Sequence, residues 1–189
     1  MAVKAPDRLH FTGNGEADEL LARDPLALLI GFVLDQQVTV QKAFSSPLEL
    51  EQRLGGSLGA REIAGMTPNE LEELFRRRPA LHRFPGAMAA RVQELCAALV
   101  TDYDGRAERV WSEASDGRDL ERRLLELPGI GGMKAKSLIA VLSKRFGVRP
   151  PGWEEVAPTY PTLGDVDSDE ALERYQAAKR AHKAARRGA

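Results

Sequence analysis

Cysteine is nearly absent: Cys96 is the only one in 189 residues. One thiol closes no internal disulfide and builds neither a thiolate zinc site nor a four-cysteine iron–sulfur cluster, so a metal here would need oxygen or histidine ligands. Long apolar runs are missing too. The longest, residues 26–34, spans nine residues, far short of the ~20 that a membrane-spanning helix needs. Residues 1–18 hold no apolar stretch of the length a secretory signal requires, so a cytoplasmic location is expected. No segment alternates Val, Ile or Thr with polar residues as a half-buried strand would, and there is neither an internal repeat nor a glycine-rich nucleotide loop. Net charge is nearly nil, with 27 basic against 28 acidic residues. What remains is 43% hydrophobic, enough for one core or two small lobes sharing it. Proline and glycine cut the chain into helix-length pieces, which predicts an all-α fold.

The small net charge conceals large local imbalances. Residues 76–92 carry five arginines (Arg76, Arg77, Arg78, Arg83, Arg91) and no acid, and residues 127–150 carry five cations (Lys134, Lys136, Lys144, Arg145, Arg149) and again no acid. Opposing them, residues 45–75 hold six glutamates against two arginines, and residues 151–170 hold six acids and no base. A polyanion needs one cationic face rather than a cationic total, because affinity follows the phosphates neutralised. The alternative is a set of solvated helix faces.

Helix starts are well marked. Asp24-Pro25 is a cap followed by proline at the first helical position, opening a helix through residue 34 that is apolar all round and so buried. Shorter helices are expected over 47–54, 60–64 and 67–75, the last opened by the capping box Thr67-Pro68-Asn69-Glu70. Longer amphipathic helices are expected over 85–101 and 117–125. Cys96 falls beside an apolar stripe and reads as a small buried hydrophobe. The domain reading is a flexible N-terminus over 1–18, a helical body over 19–149, a proline- and glycine-rich loop over 150–166, and a basic C-terminal helix over 167–189.

One motif carries chemistry. Leu127-Pro128-Gly129-Ile130-Gly131-Gly132-Met133-Lys134-Ala135 lies between helical patterns within residues 119–146, giving a helix, a glycine hairpin and a helix. Gly129 and Gly131 remove Cβ where the chain turns, so backbone N–H groups opening the second helix can approach a phosphate, with Lys134 and Lys136 adding charge. A plain helix corner uses similar glycines.

With this hairpin the chain resembles the helix-hairpin-helix (HhH-GPD) base-excision DNA glycosylases related to endonuclease III and the adenine-specific glycosylases. Leu34-Asp35-Gln36-Gln37-Val38-Thr39 resembles that family's helix–Gln–x–Thr turn, and Gly86-Ala87-Met88-Ala89-Ala90-Arg91-Val92 its helix ahead of the hairpin. The ordered set covers residues 25–147, roughly two thirds of the chain. The tracts Pro79-Ala80-Leu81-His82-Arg83-Phe84-Pro85-Gly86 and Pro150-Pro151-Gly152-Trp153 are similar to those of a small bacterial subfamily. The resemblance implies a bilobal helical fold whose cleft receives a nucleotide turned out of the duplex. It further implies a monomer acting on damaged duplex DNA in the nucleoid, with no cofactor required. DNA contacts would come from Gln37, Gly129, Gly131, Gly132, Lys134, Lys136 and Arg83, Gln37 being the wedge that fills the vacated stack. A structural reading makes Gln37 a buried amide capping the preceding helix. The resemblance also implies a monovalent cation, K⁺ or Na⁺, on the backbone carbonyls of Leu125, Leu127 and Ile130.

Two departures bear on mechanism. Met133 occupies the motif position where bifunctional members carry a Schiff-base lysine, and a thioether is no nucleophile. Lys134 is one position on, about 100° around the helix, and reads as a phosphate contact. Where the family places its catalytic aspartate, this chain has Pro151, so the candidates become Asp167, in Val166-Asp167-Ser168, and then Asp165. Asp167 also reads as a helix cap, and Glu154 and Glu155 are more distant candidates. The expected activity is hydrolytic release of a damaged base by a monofunctional N-glycosylase. The alternatives are a non-catalytic DNA-binding or lesion-sensing protein that keeps the fold, or a helical adaptor with solvated basic faces.

Overall fold

The computed structural model describes residues 5–188, which form eleven α-helices, a single 3-10 turn and no strand. The all-α expectation therefore holds. The first lobe contains α1 (Gly15–Arg23), α2 (Pro25–Leu34), α3 (Val40–Arg53), α4 (Ala60–Gly65), α5 (Pro68–Arg76) and α6 (Pro85–Tyr103). The second contains α7 (Arg109–Ser112), α8 (Gly117–Glu126), α9 (Gly132–Arg145), α10 (Trp153–Val156), the 3-10 turn Leu163–Asp165 and α11 (Asp169–Arg187). One continuous hydrophobic cluster runs through both.

Helix α2 is the axis of the first lobe. The Asp24 carboxylate accepts the N–H groups of Leu26 and Ala27 at 2.9 and 3.3 Å, and every residue from Leu26 to Leu34 is buried. α1, α3 and α6 pack around it. The Phe44 ring of α3 stands edge-to-face on both Phe11 and Phe32, with centroids 5.1 Å apart in each pair, the geometry that the aromatic quadrupole favours. Cys96 is fully buried on α6, and burial pushes its thiol up to about 12, as its reading as a small hydrophobe expects.

Two sequence expectations need correction. The N-terminus over 1–18 was expected to be flexible, yet Leu9 and Phe11 are core residues and α1 opens at Gly15 under an Asn14 cap. The buried Asp18 carboxylate fixes this segment by accepting the Phe11 and Thr12 N–H groups at 3.0 and 3.1 Å. Residues 1–4 of that expectation lie outside the described residues. Helix α3 also begins seven residues before the expected start at Pro47. It passes through that proline, whose missing N–H leaves the Ala43 carbonyl without its intrahelical donor.

The proline-rich stretch over 150–166 folds back on the hairpin lobe. The Gly117 N–H donates to the Pro151 carbonyl at 2.8 Å. Gly164 sits so close to α9 that an added Cβ would lie 2.6 Å from the Ala140 backbone. Helix α11 follows a Ser168 cap and reaches back to the first lobe through a reciprocal amide pair, Gln41 with Gln176, at 3.1 and 2.6 Å. No helix among the described residues is long and apolar enough to cross a membrane.

Anchoring of the N-terminal segment gives a direct test. Phe11→Ala removes a fully buried ring and should lower the unfolding free energy by about 3–5 kcal/mol in urea titration. A flexible terminus would lose almost nothing.

Candidate nucleic-acid interface

Helices α8 and α9 meet at the hairpin 127–131, where Gly129 takes φ +82 and an added Cβ would press on Val33 at 3.1 Å. A side chain there would be strained by the backbone and pushed off α2 together. Gly131, the N-cap of α9, supplies no side-chain cap, and both Gly131 and Gly132 are exposed with open space where a Cβ would stand. The first N–H groups of α9 therefore face a groove of about 670 Å³, lined by Gln36, Arg91, residues 125–130, both glycines, Met133 and Lys134. This is the arrangement an anionic oxygen requires at a helix N-terminus.

The two hairpin lysines are not free cations. Lys134 turns back, and its Nζ donates to the Val33 and Gly129 carbonyls at 3.1 and 3.3 Å, so that one ammonium joins the end of α2 to the hairpin. Burial lowers its pKa, while the Asp35 carboxylate opposes that shift. Lys136 donates to the Val156 carbonyl and pairs with Glu121, both at 2.7 Å. In the absence of DNA both lysines, expected as phosphate ligands, are engaged by groups of the fold. Met133 points outward at 79% exposure.

The turn after α2 divides its labour between two glutamines. Gln36 is the capping amide, with Nε2 donating to the Val33 carbonyl at 3.1 Å. Gln37 is exposed and held at φ 55, one of two non-glycine residues with positive φ among those described. A polar side chain in that conformation is strained, and the structural reading of Gln37 as a buried cap is corrected in favour of Gln36. The turn is pinned by buried His82, whose Nε2 lies 3.2 and 3.0 Å from the Leu34 and Gln36 carbonyls while Nδ1 accepts the Phe84 N–H at 3.1 Å. Those partners require the neutral ring with its proton on Nε2. Beside it Arg83 is exposed and stacks on the half-exposed Phe84 ring, 4.9 Å from its centroid.

The carboxylates expected to act stand elsewhere. Asp165 pairs with Lys144, near the opposite end of α9 from the hairpin. It also accepts the Thr162 N–H at 2.9 Å, and although burial works against it, these bonds hold its carboxyl below the ordinary value. Asp167 is exposed, and the cap it was alternatively assigned belongs to Ser168. Sequence reasoning passed over Asp35. It ends α2, where an acid opposes the helix dipole, and that mismatch was the available signal. Burial raises its pKa, with Lys179 and Lys134 pulling it back.

A second cavity of about 480 Å³ opens on the other side of Met133, walled by Tyr160, Tyr175, Thr162, Lys179 and His182. Met133 borders both spaces. The Ser137 hydroxyl, also on this wall, is buried and has no hydrogen-bond partner. The residues of the expected cation site, Leu125, Leu127 and Ile130, all line the hairpin groove. The Leu127 carbonyl accepts the Ile130 N–H at 3.1 Å, and a carbonyl keeps a second lone pair free. Neutral carbonyls of this kind fit a singly charged ion.

Since His82 must be neutral to hold the turn, pH tests its role. Burial lowers its pKa below the ordinary 6.5; the unfolded chain then binds the extra proton first, so stability is complete above pH ~6.5 and falls as pH drops below it. Urea titrations between pH 7 and 5 should show this slope, and His82→Gln should flatten it.

A family model described as HhH-GPD superfamily base excision DNA repair protein matches residues 30–187. Neither a curated protein nor a solved structure gave a match. The matched span takes in the Gln37 turn, the hairpin, both cavities and the whole of α11, and so the chain belongs to the HhH-GPD superfamily of base excision DNA repair proteins.

Proposed function

We propose that this protein is a monofunctional DNA N-glycosylase, which hydrolyses the bond between a damaged base and its deoxyribose and leaves the sugar–phosphate backbone intact. The observation that carries the reading is the pair of spaces meeting at Met133: an open, glycine-lined helix N-terminus on one side and an aromatic-walled pocket of about 480 Å³ on the other. The first suits a phosphate. The second has the size and apolar walls of a small-ligand site, and a base turned out of the stack is a planar ligand of that kind.

In this reading Gln37, exposed and strained beside the groove, enters the gap left in the stack. Gly131, Gly132 and Arg91 face the phosphates, with Arg83 on the flank. The carbonyls of Leu125, Leu127 and Ile130 would hold K⁺ or Na⁺, which supplies positive charge for a backbone phosphate. The protein acts as a monomer on damaged duplex DNA in the cytoplasm, at the nucleoid, and the hydrolysis needs no other cofactor. No amine reaches outward where the family's lyases form their covalent intermediate: that position is Met133, and the Lys134 ammonium is tied to two carbonyls. A second reading, a lesion sensor without catalysis, is favoured by the linings of the two cavities, which include neither Asp165 nor Asp167.

A panel of duplexes carrying alkylated, deaminated and oxidised bases separates the two. A glycosylase should release free base, leave a site that breaks only on alkaline treatment, and give no borohydride-trapped adduct. Trapping would overturn the monofunctional assignment, and silence across the panel would favour the sensor.

Gln37→Gly supplies an independent check, because glycine accepts φ 55 without strain. Stability should hold or rise by up to about 1 kcal/mol. Affinity for an abasic duplex should fall more than affinity for intact duplex, measured by fluorescence anisotropy. Equal affinity losses would remove Gln37 from the wedge role.

A further inference from the structure

Cations on an exposed helix are ordinarily balanced by acids one turn away. On α8, Arg122 pairs with Asp119 and Glu126, and Arg123 with Asp119. The C-terminal half of α11 breaks this pattern. Its acids, Asp169, Glu170 and Glu173, fall in the first five residues of the helix and no acid follows them, whereas Arg180, Lys183, Arg186 and Arg187 crowd into the last eight. Lys183 has Arg180, Arg186 and Arg187 three or four positions away, spacings at which like charges repel. All four are exposed, and none takes part in an ion pair among the described residues. The helix dipole favours cations only in the last turn, which accounts for Arg186 and Arg187 but not for Arg180 and Lys183.

The helix holds these charges away from the body. Its root is anchored by the buried Ala171 and Leu172, the half-buried Tyr175 and the amide pair of Gln176 with Gln41, whereas residues 177–187 are all exposed. Five of those eleven are alanine, the strongest helix former, which favours helix where packing does not. At about 100° per residue the four cations fall within an arc of about 120°, and Ala177, Ala181, Ala184 and Ala185 take the other side. One edge of that arc meets the pocket. Tyr175, Lys179, His182 and Arg186 recur at helical spacing, and the first three line the aromatic pocket, so the cationic face starts where the pocket wall ends.

We propose that the C-terminal half of α11 is a second duplex-binding surface, on which Arg180, Lys183, Arg186 and Arg187 bond the phosphates of DNA flanking the pocket. Its partner is the sugar–phosphate backbone, which is held by charge and carries no sequence information. Residues 180–187 rise about 10 Å at 1.5 Å per residue, a length over which one strand of duplex presents about three phosphates along its axis. Three of the four side chains are arginines, whose guanidinium forks match pairs of phosphate oxygens. Most cations of the hairpin helix are engaged by the fold, so this face supplies charge that the groove does not. The inference needs only DNA as the partner: the face grips intact and damaged duplex alike, whether the cleft releases a base or not.

The test compares the full chain with a variant carrying Arg180→Gln, Lys183→Gln, Arg186→Gln and Arg187→Gln, by fluorescence anisotropy with intact duplex over a series of salt concentrations. Each phosphate contact contributes about 0.9 to the slope of log affinity against log salt, so the slope should fall by about 2 to 3 in the variant. Glutamine forms helix about as well as lysine, and circular dichroism should show helix content equal to that of the wild type, or higher once the like charges are gone. A second variant, Arg180→Lys with Arg186→Lys and Arg187→Lys, keeps the charge and should keep the slope. An unchanged slope in the glutamine variant would overturn the proposal. An equal loss in the lysine variant would also overturn it, because charge would then not be the cause. Wild-type binding to vesicles of anionic lipid or to polyglutamate that the glutamine variant loses, with its duplex slope unchanged, would assign the face to a membrane or an acidic protein instead.

Discussion

The site depends on one ammonium group. Lys134 Nζ bonds the carbonyl of Val33, in the last turn of α2, and that of Gly129 in the hairpin. A cation at a helix C-terminus interacts favourably with the negative end of the dipole, and here it also holds the two lobes in register. A hydrogen bond to a charged donor contributes about 1.5–3 kcal/mol, and it adds to the burial of Leu127 and Ile130 and the packing of Gly129 against Val33. The glycine groove, the Gln37 turn and Asp35 all lie within a few residues of these two carbonyls.

The same contact accounts for Met133. Successive residues on a helix are about 100° apart, so Lys134 directed inward toward α2 turns its predecessor out toward solvent, where Met133 is found. A lysine at 133 would present a free amine to the cleft; the thioether presents a flexible apolar edge between groove and pocket. The shift by one position exchanges a nucleophile for a structural tie.

Much of this architecture was legible in the sequence because helix ends have local causes. Asp24-Pro25 and the Thr67 capping box place helix starts that the backbone follows, and the Leu127-to-Gly132 hairpin stands between α8 and α9 as expected. Tertiary causes were not legible. Nothing local tells that Phe11 reaches the Phe44 ring or that Asp18 gathers the N–H groups of its own upstream segment. In the candidate site the hairpin was readable and the partners of its lysines were not: Val33 lies 101 residues from Lys134, and Val156 lies 20 from Lys136.

The charge blocks illustrate the same limit. Residues 127–150 read as a five-cation surface, but folding gives most of those charges internal work. Lys134 and Lys136 bond carbonyls, Lys144 takes Asp165, and Arg149 donates to the Ser143 carbonyl at 3.1 Å while stacking on Trp153. Three of the partners, Trp153, Val156 and Asp165, belong to the acidic stretch that follows, and Lys144–Asp165 is an ion pair between the two blocks where the chain folds back. Arg83 and Arg91 remain as exposed cations near the groove. Affinity for duplex scales with the phosphates neutralised, so the cations that folding leaves outside internal contacts, Arg91 at the groove and the exposed Arg180, Lys183, Arg186 and Arg187 of α11, are the ones open to a phosphate.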